Sequence, residues 1–178
     1  GDDGGDDGGD DGGDDGGDDG GDDGLEAGFE AGLTETYGCA QTLMVAHDSA
    51  DALALIFQSR EDLIEQAFAA GAPVTRSWDL SAERPDRLEI QIGEHLTAEF
   101  CNDAPELEPV IAGYWVPSVG TLTLTVTPTG EATDWGEFPA SGLLLLEGSE
   151  WVPALDLSAT PIPMGSFSME ASVGWLPG

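Results

Sequence analysis

The chain contains no lysine and only four arginines against 36 acidic residues, so its 178 residues carry a formal charge of −32 at pH 7. The phosphates of nucleic acids and the headgroups of anionic lipids would meet repulsion from such a surface. The composition therefore excludes nucleic-acid binding and disfavours direct contact with an anionic membrane. Divalent cations, high ionic strength or basic partners suit this charge better, because they neutralise or screen the acids.

Residue patterns that carry catalysis are also scarce. The two histidines, His47 and His95, do not belong to a His-Glu-x-x-His zinc motif. A Gly-x-Ser-x-Gly nucleophile elbow, a P-loop and a dinucleotide-binding glycine motif are absent. We therefore expect a protein that is not an enzyme. The alternative is an acidic-surface hydrolase, which would need His47 or His95 beside a carboxylate and a nucleophile.

What the chain does have is an N-terminal repeat, six copies of Gly-Asp-Asp-Gly over residues 1–24. Mutually repelling carboxylates without any apolar side chain cannot form a packed core, and glycine adds chain entropy. We interpret residues 1–24 as a disordered acidic tether, about 25 to 30 Å long if it behaves as a relaxed glycine-rich coil. Its carboxylates belong to Asp2, Asp3, Asp6, Asp7, Asp10, Asp11, Asp14, Asp15, Asp18, Asp19, Asp22 and Asp23.

The same aspartates suggest calcium, bound weakly, as the one cofactor to consider. Counted from Asp3, the acids fall near several positions of an EF-hand loop. However, Gly5 replaces a ligand, and Asp10 replaces the hydrophobic residue. A repeat without aliphatic residues also lacks the core of a calcium-binding solenoid. A charged spacer is favoured over a specific calcium site. A calcium-associating extracellular matrix or filament component is the alternative function.

Cys39 and Cys101 are the only cysteines in the chain. An even number in an acidic chain of this kind favours one disulfide. Closing a loop of about 60 residues would stabilise the fold by roughly 4 kcal/mol in the chain-entropy model. Two buried free thiols are the alternative. A metal site is disfavoured, because neither cysteine has a second cysteine or a histidine at ligand spacing.

One helix is predicted in the rest of the chain. It would open at Ser59, with Asp62 as its capping-box partner, and stop at Gly71. Leu63, Ile64, Ala67 and Phe68 would form its apolar face, which must lie against a sheet. Residues 25–38 continue the acidic, glycine-spaced character of the repeat, and we interpret them as a linker.

Alternating apolar and polar residues predict strands through most of residues 39–178, which we interpret as one domain. The run Leu143–Leu146 fits a strand that is buried on both faces, and residues 96–100 could extend or pair with the strand before them. Eight or nine short strands with one helix predict a mainly β fold, an antiparallel β-sandwich that is immunoglobulin-like or related. The strands are expected over residues 42–46, 53–58, 74–80, 88–92, 111–116, 121–127, 143–146, 152–157 and 166–175.

Four of the five tryptophans can be assigned to the predicted core or to the predicted surface. Trp78 and Trp175 fit strand faces that point into the core. Trp135 and Trp151 lie at loop edges, where aromatic side chains can bind a carbohydrate or a protein partner. For this second pair, packing in the core or at its rim is favoured over a binding role.

A Gly/Asp-rich spacer followed by a small β domain with paired Cys39 and Cys101 resembles, in layout and composition, the mature part of uncharacterised exported bacterial lipoproteins. The resemblance implies a lipidated cysteine just upstream of Gly1 as the one link to a membrane, and a spacer that holds the domain away from that membrane. It also implies an extracytoplasmic location, at the outer membrane or cell surface or in the medium. We therefore expect a non-enzymatic exported protein with a binding or structural role, whose partner is a protein or a carbohydrate.

Overall fold

The computed structural model describes residues 25–98, 100–101, 107–134 and 137–174. They form nine antiparallel strands and one α-helix, which confirms the predicted mainly β class. A short 3₁₀ helix, Phe29–Gly32, precedes the first strand. The elements are β1 Glu35–Cys39, β2 Leu43–His47, β3 Leu53–Gln58, α1 Leu63–Ala70, β4 Val74–Asp79, β5 Arg87–Glu94, β6 Val110–Pro128, β7 Ala140–Pro153, β8 Ile162–Pro163 and β9 Phe167–Val173.

Two long strands, β6 and β7, run through both layers of the fold. The first part of β6 pairs with β5, and its later part pairs with β4. Strand β7 follows β6 along its length, and then pairs with β9 at one end and β8 at the other. The β6–β7 register shifts between Pro117 and Thr121, where the two layers meet. All nine strands belong to one antiparallel sheet, whose main path has the order β1-β2-β3-β5-β6-β7-β8. We call this path the first layer, and we call the strands β4-β6-β7-β9, which pair beside it, the second layer.

The main core lies between these layers and follows from the two-residue period of the strands. In β9, Phe167, Met169, Ala171 and Val173 are buried, and the residues between them are exposed. They pack with apolar residues of β2, β3, β5, β6 and β7 in one cluster. The helix adds Leu63, Ile64 and Ala67, which confirms its predicted apolar face. Among the described residues, no helix is both long and apolar enough to cross a membrane.

The prediction that residues 25–38 form a linker is wrong. Leu25 and Leu33 are buried in the main core, and β1 already begins at Glu35. The segment has only scattered apolar residues, so its sequence lacks the period of a strand. Its burial comes from long-range packing against strands that follow much later in the chain. Residues 25–38 are therefore part of the folded body.

Four local predictions are also wrong. The helix begins at Leu63 with Asp62 as N-cap, and Asp62 makes no capping hydrogen bond through its side chain. Residues 96–98 form a turn rather than a strand. Strand β7 ends at Pro153, and Leu155 beyond it is fully exposed. Leu143 is 48% exposed, so the leucine run is not buried on both faces. By contrast, Gly71 ends the helix as predicted, with the left-handed φ of 60° that favours glycine.

A disulfide fastens a second, smaller core on the outside of the first layer. The Sγ atoms of Cys39 and Cys101 lie 1.98 Å apart, at bonding distance. The bond holds the segment of residues 95–98 and 100–101, which we name the strap, against β2 and β3. Leu96 and Phe100 of the strap are buried there. Their neighbours in this cluster are Val45, Ala54 and Ile56.

Candidate binding surface

The four strands β4, β6, β7 and β9 turn one continuous face to solvent. Its residues alternate with the core residues of the same strands, so their outward direction follows from the pleat. Most of them carry hydroxyl groups, and we call this the hydroxyl face. Its members are Thr75, Ser77, Asp79, Thr121, Thr123, Thr125, Thr127, Ser141, Leu143, Leu145, Glu147, Ser168, Glu170 and Ser172.

Hydrogen bonds between neighbouring strands order part of this face. The hydroxyl oxygens of Thr75 and Thr125 lie 2.9 Å apart, and those of Ser77 and Thr123 lie 3.0 Å apart. Such cross-strand pairs stabilise a sheet by a few tenths of a kcal/mol to about 1 kcal/mol each. At the end of β4, Asp79 accepts hydrogen bonds from the hydroxyl and the backbone N–H of Ser81. The Ser81 hydroxyl, and then its N–H, lower the pKa of Asp79, so this carboxylate stays charged.

A cleft of about 590 Å³ opens where the hydroxyl face meets β1. We call it the β1–β9 cleft. Strands β1 and β9 lie side by side here, joined by the backbone bond from the N–H of Gly174 to the carbonyl of Ala40. They approach closely because Gly38 has no side chain, since a Cβ there would lie 2.7 Å from the Ser172 carbonyl oxygen. The lining residues are Thr36, Tyr37, Gly38, Ser141, Glu170, Ala171 and Ser172.

Glu170 is held in this cleft by two neighbours. The hydroxyl of Ser141 donates to Oε1 of Glu170 over 2.7 Å, and the hydroxyl of Thr36 donates to the backbone carbonyl of Glu170 over 3.0 Å. The first bond orients the carboxylate, and the second fixes the backbone that carries it. The arrangement presents one carboxylate and several hydroxyl groups in an open groove, a set that suits hydrogen-bonding ligands.

A second cleft, of about 520 Å³, lies beside the C-terminal end of α1. Its walls are mainly apolar, with Phe68 and Pro73 on one side and Pro128 on the other. Phe68 also contacts Phe138 edge to face, with the ring centroids 5.2 Å apart. Glu131 is the one charged residue among the described residues that line it.

The two tryptophans proposed for a binding rim have different outcomes. Trp151 is fully buried, and its indole N–H donates to the hydroxyl of Ser149 over 3.1 Å. Its proposed place at an exposed binding rim is therefore wrong, and core packing, the favoured outcome, is what the structure has: strand β7 continues past Gly148 to Pro153, and this carries the indole into the core. Trp135 lies outside the described residues. Trp78 is buried, as expected, and Trp175 is again outside the described part.

The residues around His47 and His95 have structural partners. The Asp48 carboxylate accepts hydrogen bonds from the backbone N–H groups of Ala52 and Leu53. The Asp51 carboxylate accepts hydrogen bonds from the backbone N–H and the hydroxyl of Thr97. These bonds hold the β2–β3 turn and the strap in place. His47 donates through Nδ1 to the carbonyl of Asp48, and its Nε2 lies 3.9 Å from a Glu35 oxygen. Asp48 and Asp51 therefore contribute to the structure of this turn and of the strap.

The predicted calcium ligands, the twelve aspartates of the repeat, lie outside the described residues. Within the part of the chain that the structure describes, no group of three or more His, Cys, Asp or Glu side chains is arranged to hold a metal ion. Calcium association therefore stays a prediction from the sequence alone.

Sequence reasoning missed the β1–β9 cleft for a definite reason. The cleft joins residues that are more than 130 positions apart, and the strand on one side of it falls in the segment taken for a linker. The only local signal was the alternation of serines with apolar residues through β9. Comparison with known proteins adds nothing to this picture, since no family model, curated protein or solved structure matches the chain.

Proposed function

We propose that this chain is an exported binding module. Its acidic N-terminal segment links the folded domain to the membrane across which the chain was exported. The observation that carries the proposal is the Cys39–Cys101 disulfide. Disulfides of this structural kind form and persist mainly in oxidising compartments outside the cytoplasm. Cys39 is buried, so the bond belongs to the folded body and not to a reactive surface site.

The repeat supports the tethering part of the proposal. It ends at Gly24, and the next residue, Leu25, is already packed in the core. The acidic segment is therefore joined directly to the folded body. Its twelve carboxylates would be repelled by anionic headgroups, which would keep the domain away from a membrane to which the N-terminus is fixed.

The hydroxyl face and its cleft support a binding role. Exposed threonine and serine side chains provide donors and acceptors without the large entropy cost of ordering long side chains. The fold holds them on regular strands, which position side chains more rigidly than loops do. We assign no reaction to the chain and propose binding as its contribution.

Fractionation of the cells that produce the protein tests this proposal. We expect the native chain in an extracytoplasmic fraction, with both cysteines protected from alkylation until a reductant is added. Mass spectrometry of its N-terminal peptide should find a lipid-modified cysteine ahead of Gly1. The Cys39→Ala/Cys101→Ala double variant is the matched control and should show no change on reduction. A cytosolic protein with free thiols and an unmodified N-terminus would contradict the proposal.

A further inference from the structure

The β1–β9 cleft has the size and the opening of a small-ligand site. Its volume of about 590 Å³ lies within the range of clefts that hold small molecules in proteins, roughly 300 to 1,000 Å³. Unlike most of those clefts, its lining carries several hydroxyl groups, from Thr36, Ser141 and Ser172. A ligand with many hydroxyl groups of its own could form hydrogen bonds with these groups.

Glu170 is the strongest acceptor in the cleft and is already positioned. Ser141 engages Oε1, while no described residue donates to Oε2. A carboxylate held in this way can accept two hydrogen bonds from neighbouring hydroxyl groups of one ligand. The Ser141 and Thr36 hydroxyls already donate to Glu170, so toward a ligand they act as acceptors, whereas the Ser172 hydroxyl can donate as well as accept. The lining thus offers acceptors and one donor to the hydroxyl groups of a sugar.

Charge narrows the class of ligand further. Glu170 is the one ionisable carboxylate of the cleft, and the hydroxyl face around it adds Asp79 and Glu147 but no lysine or arginine. Anionic glycans would be repelled. A compact cation would have only one carboxylate to bind in the cleft, and Oε1 of that carboxylate already accepts a hydrogen bond from Ser141. Hydroxyl groups also outnumber charged groups in the lining. A neutral polyhydroxyl compound therefore fits best.

We propose that the β1–β9 cleft binds a neutral oligosaccharide, with the Glu170 carboxylate accepting from adjacent sugar hydroxyls and Ser141 holding that carboxylate in place. This inference rests on the proposed function, because it names the ligand class of the exported binding module. The open groove continues onto the hydroxyl face, where Ser168 and Thr127 can meet further sugar units.

Nuclear magnetic resonance of the isotope-labelled full chain tests the proposal. Neutral trisaccharides built from glucose, mannose and N-acetylglucosamine are titrated to millimolar concentration. At least one should shift the amide signals of Gly38, Ser141 and Ser172 in a saturable way. We expect Glu170→Gln to weaken binding by about tenfold or more, because hydrogen bonds to a charged acceptor contribute most. A deoxy analogue that lacks a contacted hydroxyl should bind more weakly still, because the site would lose a partner.

The matched control is Glu65→Gln, which removes one exposed carboxylate on α1, outside the hydroxyl face and the cleft. It should change the affinity by no more than about twofold, since exposed charges contribute little at a distance. The inference is overturned if no saccharide shifts these amides, or if Glu170→Gln and Glu65→Gln behave alike. It is also overturned if a cation such as spermidine shifts the same amides and the saccharides do not. Each of these results would leave the fractionation result standing, so the two proposals can fail separately.

Discussion

Trp151 is one of the largest fully buried side chains of the fold. It lies on β7 beyond the register shift, fully buried, and pairs across the sheet with Ile162 of β8. Its indole N–H would be left without a partner in an apolar core, and the Ser149 hydroxyl, itself buried, supplies the acceptor. The residue is therefore a structural anchor of the core, and a ligand cannot reach it in the folded protein.

Replacement of Trp151 should consequently affect stability and leave ligand binding intact. We expect Trp151→Ala to lower the free energy of unfolding by about 3 to 5 kcal/mol, because it removes a fully buried aromatic ring. Trp151→Phe should cost less, since most of the ring is retained and the Ser149 hydroxyl loses one donor. Urea unfolding monitored by circular dichroism gives both values. Leu155→Ala, at a fully exposed leucine, is the control and should change stability by less than about 0.5 kcal/mol. A loss below about 1 kcal/mol for Trp151→Ala would contradict the buried position.

The strap is the element whose position depends most clearly on one covalent bond. Its buried contacts are few, since Leu96 and Phe100 supply the apolar part and the Arg87 guanidinium lies 5.1 Å from the Phe100 ring centroid. Asp51 adds hydrogen bonds to Thr97 at the other end. The disulfide joins residues 62 positions apart, so the bond restricts the unfolded chain strongly while it closes the strap over β2 and β3.

Loss of the disulfide should destabilise the whole domain and expose the smaller core first. In the chain-entropy model, the Cys39→Ala/Cys101→Ala variant should lose about 4 kcal/mol of stability. Amide exchange in residues 95–101 and in β2 should accelerate under native conditions, because the strap would open without global unfolding. Exchange in β9, which packs in the main core, serves as the internal reference. Equal acceleration in β9 and in the strap would show that the bond supports the fold only globally.

The sequence predicted those elements whose pattern is local. Neighbouring residues determine the alternation in β5 and β9 and the end of the helix at Gly71. The ends of these elements could therefore be predicted to within one or two positions. The continuous course of β6 from Val110 to Pro128 and the approach of β1 to β9 depend on contacts far along the chain, which a two-residue period does not encode. The cleft was unpredictable for the same reason, because Glu170 meets Thr36 only through the completed fold.

At the scale of the whole molecule, charge is unevenly distributed. The repeat accounts for twelve of the 32 excess negative charges, so residues 25–178 carry a net charge of −20. All four arginines lie between residues 60 and 87, where Arg76 bonds Glu61 and Glu83 and Arg87 bonds Glu89. Residues 88–178 hold thirteen acids and neither lysine nor arginine. Repulsion among these acids opposes the compact state more than these few ion pairs favour it.

Salt should therefore stabilise this protein well beyond its effect on a charge-balanced one. Raising sodium chloride from about 0.1 M to about 1 M shortens the screening length from roughly 10 Å to 3 Å. Repulsion between acids on neighbouring strands then weakens, and we expect the urea midpoint of unfolding to rise steadily over this range. A triple variant, Glu147→Gln/Glu150→Gln/Glu170→Gln, removes three exposed carboxylates without changing their shape. Because it starts with less repulsion, it should be more stable than the native chain at low salt and respond less to added salt. Equal salt responses of the two proteins would show that the ions act by general salting-out. A urea midpoint that falls with added salt would show that the arginine ion pairs outweigh the repulsion.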